Sequence, residues 1–250
     1  MENENSEPVI NLQDFPRQSS KLIWACEEWG CFRILNHDDI LPVSLMAEMK
    51  EVVRTLLDLP TEIKKRNKDV IAGSGYMAPS EKNPLYEALG LFDMSSSEDV
   101  DEFCTQLGAS PHQRETIKKY AAAINGLMMD IVRKMGEGLR LPNVSFEECP
   151  CQFRINKYHF TREAVGFLTI LQDDENVGGL EVMKKSGEFV AVDPRPNTLL
   201  VTLGDIGRVW SNVRFYTVKH RVICKEAKIR VSIASFLLGP RDTAVEPPPE

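Results

Sequence analysis

The sequence has no uninterrupted apolar run of membrane-spanning length, so no transmembrane helix is expected. It also lacks an excess of basic charge: 30 Lys and Arg stand against 37 Asp and Glu, a net charge of −7 at pH 7. That balance argues against nucleic acid or an anionic membrane as the main partner. The basic residues are spread along the chain, which leaves room for a local basic pocket facing a small acid. The opening MENENSEPV is acidic and polar, unlike a secretory or transit segment, and the expected location is cytoplasmic. Cysteines are few and scattered, at 26, 31, 104, 149, 151 and 224. Cys149-Pro150-Cys151 is too tight for C-x-x-C, and no second pair answers it, so reduced thiols are expected. There are no internal repeats and no Gly/Pro/Ser linker, which points to one continuous unit.

What is present divides near residue 150. The 250 residues, 42% hydrophobic and 27% charged, are ordinary for a globular chain long enough to bury a core. Helical periodicity dominates before the division. SLMAEMKEVVRTLLDLP puts Leu45, Met46, Met49, Val52, Val53, Leu56 and Leu57 on one face, and Pro60 stops the run. Ser110-Pro111-His112-Gln113 predicts a capping box opening a long helix with Ile117, Tyr120, Ile124, Leu127, Met128, Ile131 and Met135 in one stripe. A shorter helix is expected over KLIWACEEW, between strands VINL and CFRIL. After the division the chain reads as short β runs: CQFRINKYHF, FLTILQ, GLEVM, EFVAV, TLLVTL, FYTVKHRVI and IRVSIASFLL. Such strands suggest a sandwich, barrel or jelly roll. The expected class is α+β, with a helical region over 1–149 and a β region over 150–250. The ends, about 1–8 and TAVEPPPE, are expected to be loose.

Few residues carry distinctive chemistry. Gly73-Ser74-Gly75-Tyr76 lacks the third glycine of a dinucleotide fingerprint and the Gly-Lys-Ser/Thr of a Walker loop, so a surface turn is expected. Of the four histidines, His112 falls in the first turn of a helix and is expected to be exposed. His37-Asp38-Asp39 is a literal H-x-D, but its context suits an exposed turn. His220 lies inside the run from Phe215 to Ile223. The following strand carries Arg230 and Ser232, two residues apart and therefore on one face. A buried arginine is costly unless an anion meets it, and it can grip a carboxylate in two parallel hydrogen bonds.

His220 with Arg230-Val231-Ser232 resembles the C-terminal signature of the plant 2-oxoglutarate- and Fe(II)-dependent dioxygenases. VINLQDFP, ACEEWGCFRILNH, FRINKYHF and GGLEVM resemble other stretches of that family, so the likeness covers almost the whole chain. KNPLYEALGLFDM and FLTILQDDENVGGLEV are most similar to the subgroup called dioxygenase for auxin oxidation. The resemblance implies a jelly-roll (double-stranded β-helix) core, with Fe(II) held by the His and Asp of an H-x-D and by a distal histidine. It makes His220 the distal metal ligand, Arg230 and Ser232 the grip on the far carboxylate of 2-oxoglutarate, and Asn156 and Tyr158 the Asn-x-Tyr contacting that cosubstrate. It further implies a small carboxylic acid such as indole-3-acetic acid as the substrate.

One family element is absent. H-x-D should stand between the segments resembling NKYHFTREAVG and FLTILQDD, but here Gly166 runs straight into Phe167. Two of three iron ligands, and a core strand near 166–167, are thus expected to be missing. Candidate substitutes on or beside the strands are His159, Glu163, Asp173, Asp174 and Asp205. The expectation is a dioxygenase-type chain impaired in turnover, or a non-catalytic relative that binds a small carboxylic acid or a protein partner. Lower stability is also expected, because a lost strand leaves neighbouring edges unpaired.

Overall fold

The computed structural model describes residues 6–81, 84, 86–141, 146, 148–158, 167–223, 228–240 and 245–246. In chain order it runs β1 (Val9–Asn11), α1 (Ser19–Glu28), β2 (Cys31–Leu35), α2 (Val43–Leu57), α3 (Thr61–Lys64), β3 (Tyr86–Leu91), α4 (Ser97–Gln106) and α5 (Pro111–Gly138). The second half gives β4 (Cys151–Tyr158), β5 (Leu168–Gln172), β6 (Leu180–Met183), β7 (Phe189–Ala191), β8 (Leu199–Leu203), α6 (Asp205–Trp210), β9 (His220–Val222) and β10 (Arg230–Leu237).

The helix starts follow local chemistry. At α5 the Ser110 hydroxyl accepts from the Gln113 amide at 3.2 Å, while the Gln113 side chain accepts from the Ser110 amide at 2.8 Å. With Pro111 at the first position, both ends of the capping box are made. The helix then runs 28 residues, about 42 Å at 1.5 Å per residue. Its buried stripe includes Ile117, Tyr120, Ile124, Leu127, Met128, Ile131 and Met135. Met46, Met49, Val52, Val53, Leu56 and Leu57 of α2 are buried as their spacing predicts, with Leu45 half-buried. Gly30 joins α1 to β2 with φ +63°, and a Cβ there would lie 2.1 Å from the Tyr216 carbonyl oxygen, so only glycine fits.

Seven strands form one sheet in the order β1-β2-β8-β5-β10-β4-β3, and three form a second in the order β7-β6-β9. The large sheet takes strands from both sides of residue 150, and only its β1–β2 pair is parallel. Period-2 alternation sorts its side chains between two cores. One face carries Phe32, Phe153, Ile155, Ile170, Val201, Ile233 and Leu237 into the main apolar cluster beside the helices. Gln172 sits on that face: its amide donates to the Met46 carbonyl at 3.0 Å and its oxygen accepts from the Tyr120 hydroxyl at 2.8 Å. The other face sends Cys31, Leu171 and Leu200 against Leu180, Val182 and Val222 of the small sheet. The result is the expected α+β class with a two-sheet jelly-roll core.

Several expectations need correction. The run from Phe215 is not a continuous strand, since β9 begins only at His220. Upstream backbone groups bond elsewhere: the Phe215 amide donates to the Ser211 hydroxyl and the Tyr216 amide to the Cys26 carbonyl, both at 2.9 Å. Strand β3 was not anticipated, because Glu-Ala-Leu-Gly-Leu lacks β-branched residues; pairing with β4 makes it a strand. Gly73-Ser74-Gly75 is no loose surface turn. Ser74 is buried, its hydroxyl accepts from the Val70 and Ile71 amides, and Asp69 accepts from those of Gly73 and Gly75. His37 is buried rather than exposed. Its Nδ1 lies 2.9 Å from the Leu41 carbonyl, which can only accept, so Nδ1 carries the proton.

The five described cysteines are free and buried, while Cys224 lies outside the described residues. Burial pushes the Cys26 and Cys151 thiols up and Cys31 to about 12, so none is a ready thiolate at neutral pH. Iodoacetamide should therefore leave Cys26, Cys31 and Cys151 unmodified in the native protein and alkylate them in denaturant, as read by peptide mass spectrometry. Native-state labelling at these positions would contradict the packing.

Candidate functional site

The inner face of the large sheet, turned toward the small one, collects the polar residues. In β10 the alternation sends Ile233 to the helix side and Arg230, Ser232 and Ala234 to the inner side. Across the β4 ladder, Ser232 stands opposite Asn156, Ala234 opposite Arg154, and the Arg230 backbone opposite that of Tyr158. Directly opposed residues share a face, so Asn156 and Arg154 lie beside Ser232. Arg230, Ser232 and Asn156 are each at most 3% exposed. Asn156 accepts from the Tyr86 hydroxyl at 2.9 Å. The Ser232 hydroxyl is buried and has no hydrogen-bond partner among the described residues.

Arg230 donates to the buried carboxylate of Asp173. Asp173 follows Gln172, the last residue of β5, so the next side chain along flips from the helix side to the inner side. The loop is pinned there by Asp174, whose oxygens accept from the amides of Asn176 at 2.9 Å, Val177 at 3.0 Å and Val231 at 3.1 Å. Burial raises the Asp173 pKa, and the Arg230 guanidinium pulls it back. A carboxylate therefore already occupies the arginine that the sequence points to. Asp173, a candidate substitute for a missing iron ligand, is instead the partner of Arg230.

His220 belongs to the other sheet. It pairs with Val182 across the β6–β9 ladder, and Leu180 pairs with Val222. Those three apolar partners are buried in the inter-sheet cluster, so His220 shares their inward face and is half-buried. Arg221 and Glu181 take the opposite face and pair at 2.8 Å. The structure thus places His220 on one inner face and Arg230, Ser232 and Asn156 on the facing one.

The described donor set does not fit a three-ligand iron site. Among the described residues no three His, Cys, Asp or Glu side chains are grouped so that they could hold a metal. Asp173 is committed to Arg230, Asp174 to three backbone amides, and Asp205 is exposed in the first turn of α6. His112 is exposed on α5, and the only His-x-Asp of the sequence, at His37, is folded onto its own turn. His159 and Glu163 lie outside the described residues, as does the side chain of Tyr158. Phe167 is anchored where the sequence runs on from Gly166: it is fully buried, and its amide donates to the Leu237 carbonyl at 2.9 Å. The inner-face Arg, Ser and Asn do fit the carboxylate end of a small acid.

Sequence reasoning named Asp173 as a substitute iron ligand and did not foresee its pairing with Arg230, and it missed Arg154 altogether. Arg154, two positions before Asn156, was marked by that spacing alone, which puts both on one face of β4.

Comparison with known proteins bears on this arrangement. Residues 138–239 match the model of the 2OG-Fe(II) oxygenase superfamily, and residues 8–104 match that of the non-haem dioxygenase in morphine synthesis N-terminal region. The rice (Oryza sativa subsp. japonica) 2-oxoglutarate-dependent dioxygenase DAO is 49% identical over 245 residues, covering 93% of this chain and 81% of that protein. The structure of dioxygenase for auxin oxidation 1 from Arabidopsis thaliana, in its binary complex with 2-oxoglutarate, superposes with a TM-score of 0.93. It is 54% identical, with 96% of each chain covered. The crystal structure of rice dioxygenase for auxin oxidation gives a TM-score of 0.86 at 47% identity, covering 96% of this chain and 86% of that one. The chain belongs to the plant 2-oxoglutarate- and Fe(II)-dependent dioxygenases, in the subgroup of dioxygenases for auxin oxidation.

Proposed function

We propose that this chain is an auxin-oxidising type of dioxygenase that retains the carboxylate-binding half of its site and lacks most of the iron-binding half. In this form it binds small carboxylic acids, 2-oxoglutarate and an indole-3-acetic acid-like substrate, with little or no turnover. The observation that carries the reading is the direct join of Gly166 to Phe167, with Phe167 buried and β5 starting immediately after it.

The physical argument is one of donor number. Fe(II) stands near the weak end of the divalent series and relies on a complete set of two histidines and a carboxylate. When bound in this family, the iron and 2-oxoglutarate supply the oxidising chemistry. The residues of this chain supply something else. Arg230 offers a planar fork and Ser232 an unmatched hydroxyl to a carboxylate, Asn156 borders them, and the facing sheet excludes water. That set supports binding without supporting turnover.

The test is succinate release in air by the purified chain with Fe(II), 2-oxoglutarate and indole-3-acetic acid. Beside it stands a version with a family-type segment bearing His-x-Asp inserted between residues 166 and 167. The expected result is substrate-dependent succinate from the inserted version only; equal turnover by the chain itself would overturn the reading. The inserted version should also melt several degrees higher, since about 1 kcal/mol moves the midpoint of a domain this size by roughly 2–4 °C. Equal midpoints would remove the claim that a core strand is missing.

A second prediction concerns Asp173. Its carboxylate competes internally for Arg230, so Asp173→Asn should tighten 2-oxoglutarate binding about tenfold by raising the fraction of competent sites. The same change weakens a buried charged contact and should cost the ligand-free fold on the order of 1–3 kcal/mol. Calorimetric titration and thermal melting check both. Unchanged affinity would mean that the cosubstrate carboxylate binds away from Arg230.

A further inference from the structure

Three arginines are buried on the inner face of the large sheet, and they are matched very differently. Arg33 is fully satisfied, donating to Glu7 at 2.7 Å, to the Thr198 hydroxyl at 2.9 Å and to the Asp193 carbonyl at 3.0 Å. Arg230 is met by Asp173. Arg154 is 9% exposed and makes no ion pair or side-chain hydrogen bond with any described residue, and its Nη2 is completely buried.

That mismatch is unusual. A guanidinium is always charged and presents five donors, so burying one without acceptors is among the costlier things a fold can do. Across the ladders Arg154 faces Gly90 and Ala234, two of the smallest residues; the Ala234 side chain is only a methyl, while the Gly90 side is filled by the Ser74 backbone. The tight loop at Gly73–Gly75 closes over this end: a Cβ on Gly90 would meet the Ser74 carbonyl oxygen at 2.0 Å, and one on Gly73 would lie 3.9 Å from the Arg154 guanidinium. Arg154 is thus shielded, charged and unmatched.

Its position relative to the cosubstrate residues is set by strand geometry. Asn156 is the next inward residue along β4, about 7 Å away at 3.3–3.4 Å per residue. The β10 register places Arg230 opposite position 158, about 13 Å along the ladder from Arg154. Two arginines therefore flank Ser232 and Asn156, one toward each end of the inner face, with the Arg230 side chain already directed to Asp173. With the cosubstrate carboxylate assigned to Arg230 and Ser232, a second acid is needed to match Arg154.

We propose that Arg154 binds the carboxylate of the organic substrate, an arylacetic acid of the indole-3-acetic class, in a subsite separate from that of 2-oxoglutarate. This deepens the proposed function and rests on it. The substrate is selected as an acid because only an anion relieves the buried charge, and the planar fork favours two-pronged carboxylate binding over a neutral amide.

Equilibrium titration of the full chain, with three probes, tests this. Indole-3-acetic acid should bind more tightly than neutral indole-3-acetamide. Arg154→Gln should weaken the acid at least about thirtyfold, as expected for loss of one partner of a buried charged pair. Binding of the amide and of 2-oxoglutarate should stay within about twofold, which also reports that the variant is folded; Arg154→Lys should fall between. A stability readout separates ligand binding from a structural role. Without ligand, Arg154→Gln should melt above the parent chain because an unmatched charge is gone, and saturating indole-3-acetic acid should reverse that order. Unchanged acid affinity in Arg154→Gln would overturn the proposal and leave the auxin reading standing. Loss of 2-oxoglutarate binding instead would also overturn it, by assigning Arg154 to the cosubstrate. A parent chain that ignores indole-3-acetic acid but holds phenylacetate in an Arg154-dependent way would overturn the auxin reading alone. A parent chain that binds no monocarboxylic acid would overturn the proposal.

Discussion

Hydrogen bonding along both edges of β10 is the constraint on which the rest of the molecule depends. The strand pairs with β4 on one side and β5 on the other, so its register sets the faces of both neighbours. Its odd-numbered residues Ile233, Ser235 and Leu237 turn to the helices, and Arg230, Ser232 and Ala234 turn inward. A slip of one residue would put a guanidinium into the apolar cluster around α5 and an isoleucine among the polar groups. The register is thus held by the cost of both errors.

The helical layer reinforces the same choice. Tyr120 of α5 and the Met46 carbonyl of α2 share Gln172, which stands opposite Ile233. These bonds hold the end of β5 on the helix side, and the following residue, Asp173, is carried inward to Arg230. A contact in the helical layer and a contact in the site are therefore neighbours in one strand. The small sheet does the complementary work, since Leu180, Val182 and Val222 seal the inter-sheet space on which His220 faces.

Much of this was legible beforehand. The helix stripes, the capping box of α5 and most strands followed from periodicity and turn residues. The inward pair Arg230 and Ser232 followed from two-residue spacing. What was not legible depends on tertiary partners. The 215–219 stretch has the residues of a strand, but its backbone groups are taken by Ser211 and α1. His37 and Ser74 look like exposed loop residues until their loops fold back on them. Asp173 could be read only once β5 was known to end at Gln172. The unmatched state of Arg154 has no sequence signature beyond its spacing from Asn156.

Charge ties the site together. A chain with a net charge of −7 places three arginines on one buried face, one satisfied by the protein, one met by the Asp173 carboxylate and one unmatched among the described residues. On the proposed reading, such an interior takes small acids whether or not iron is retained. The most direct measurement is an anaerobic calorimetric titration of 2-oxoglutarate into the purified chain, with and without Fe(II). Binding of equal affinity in both, abolished by Arg230→Gln, is the predicted result. A tightening of about tenfold or more on adding Fe(II) would contradict it, because a metal that contributes to cosubstrate binding must itself be held by a completed set of ligands.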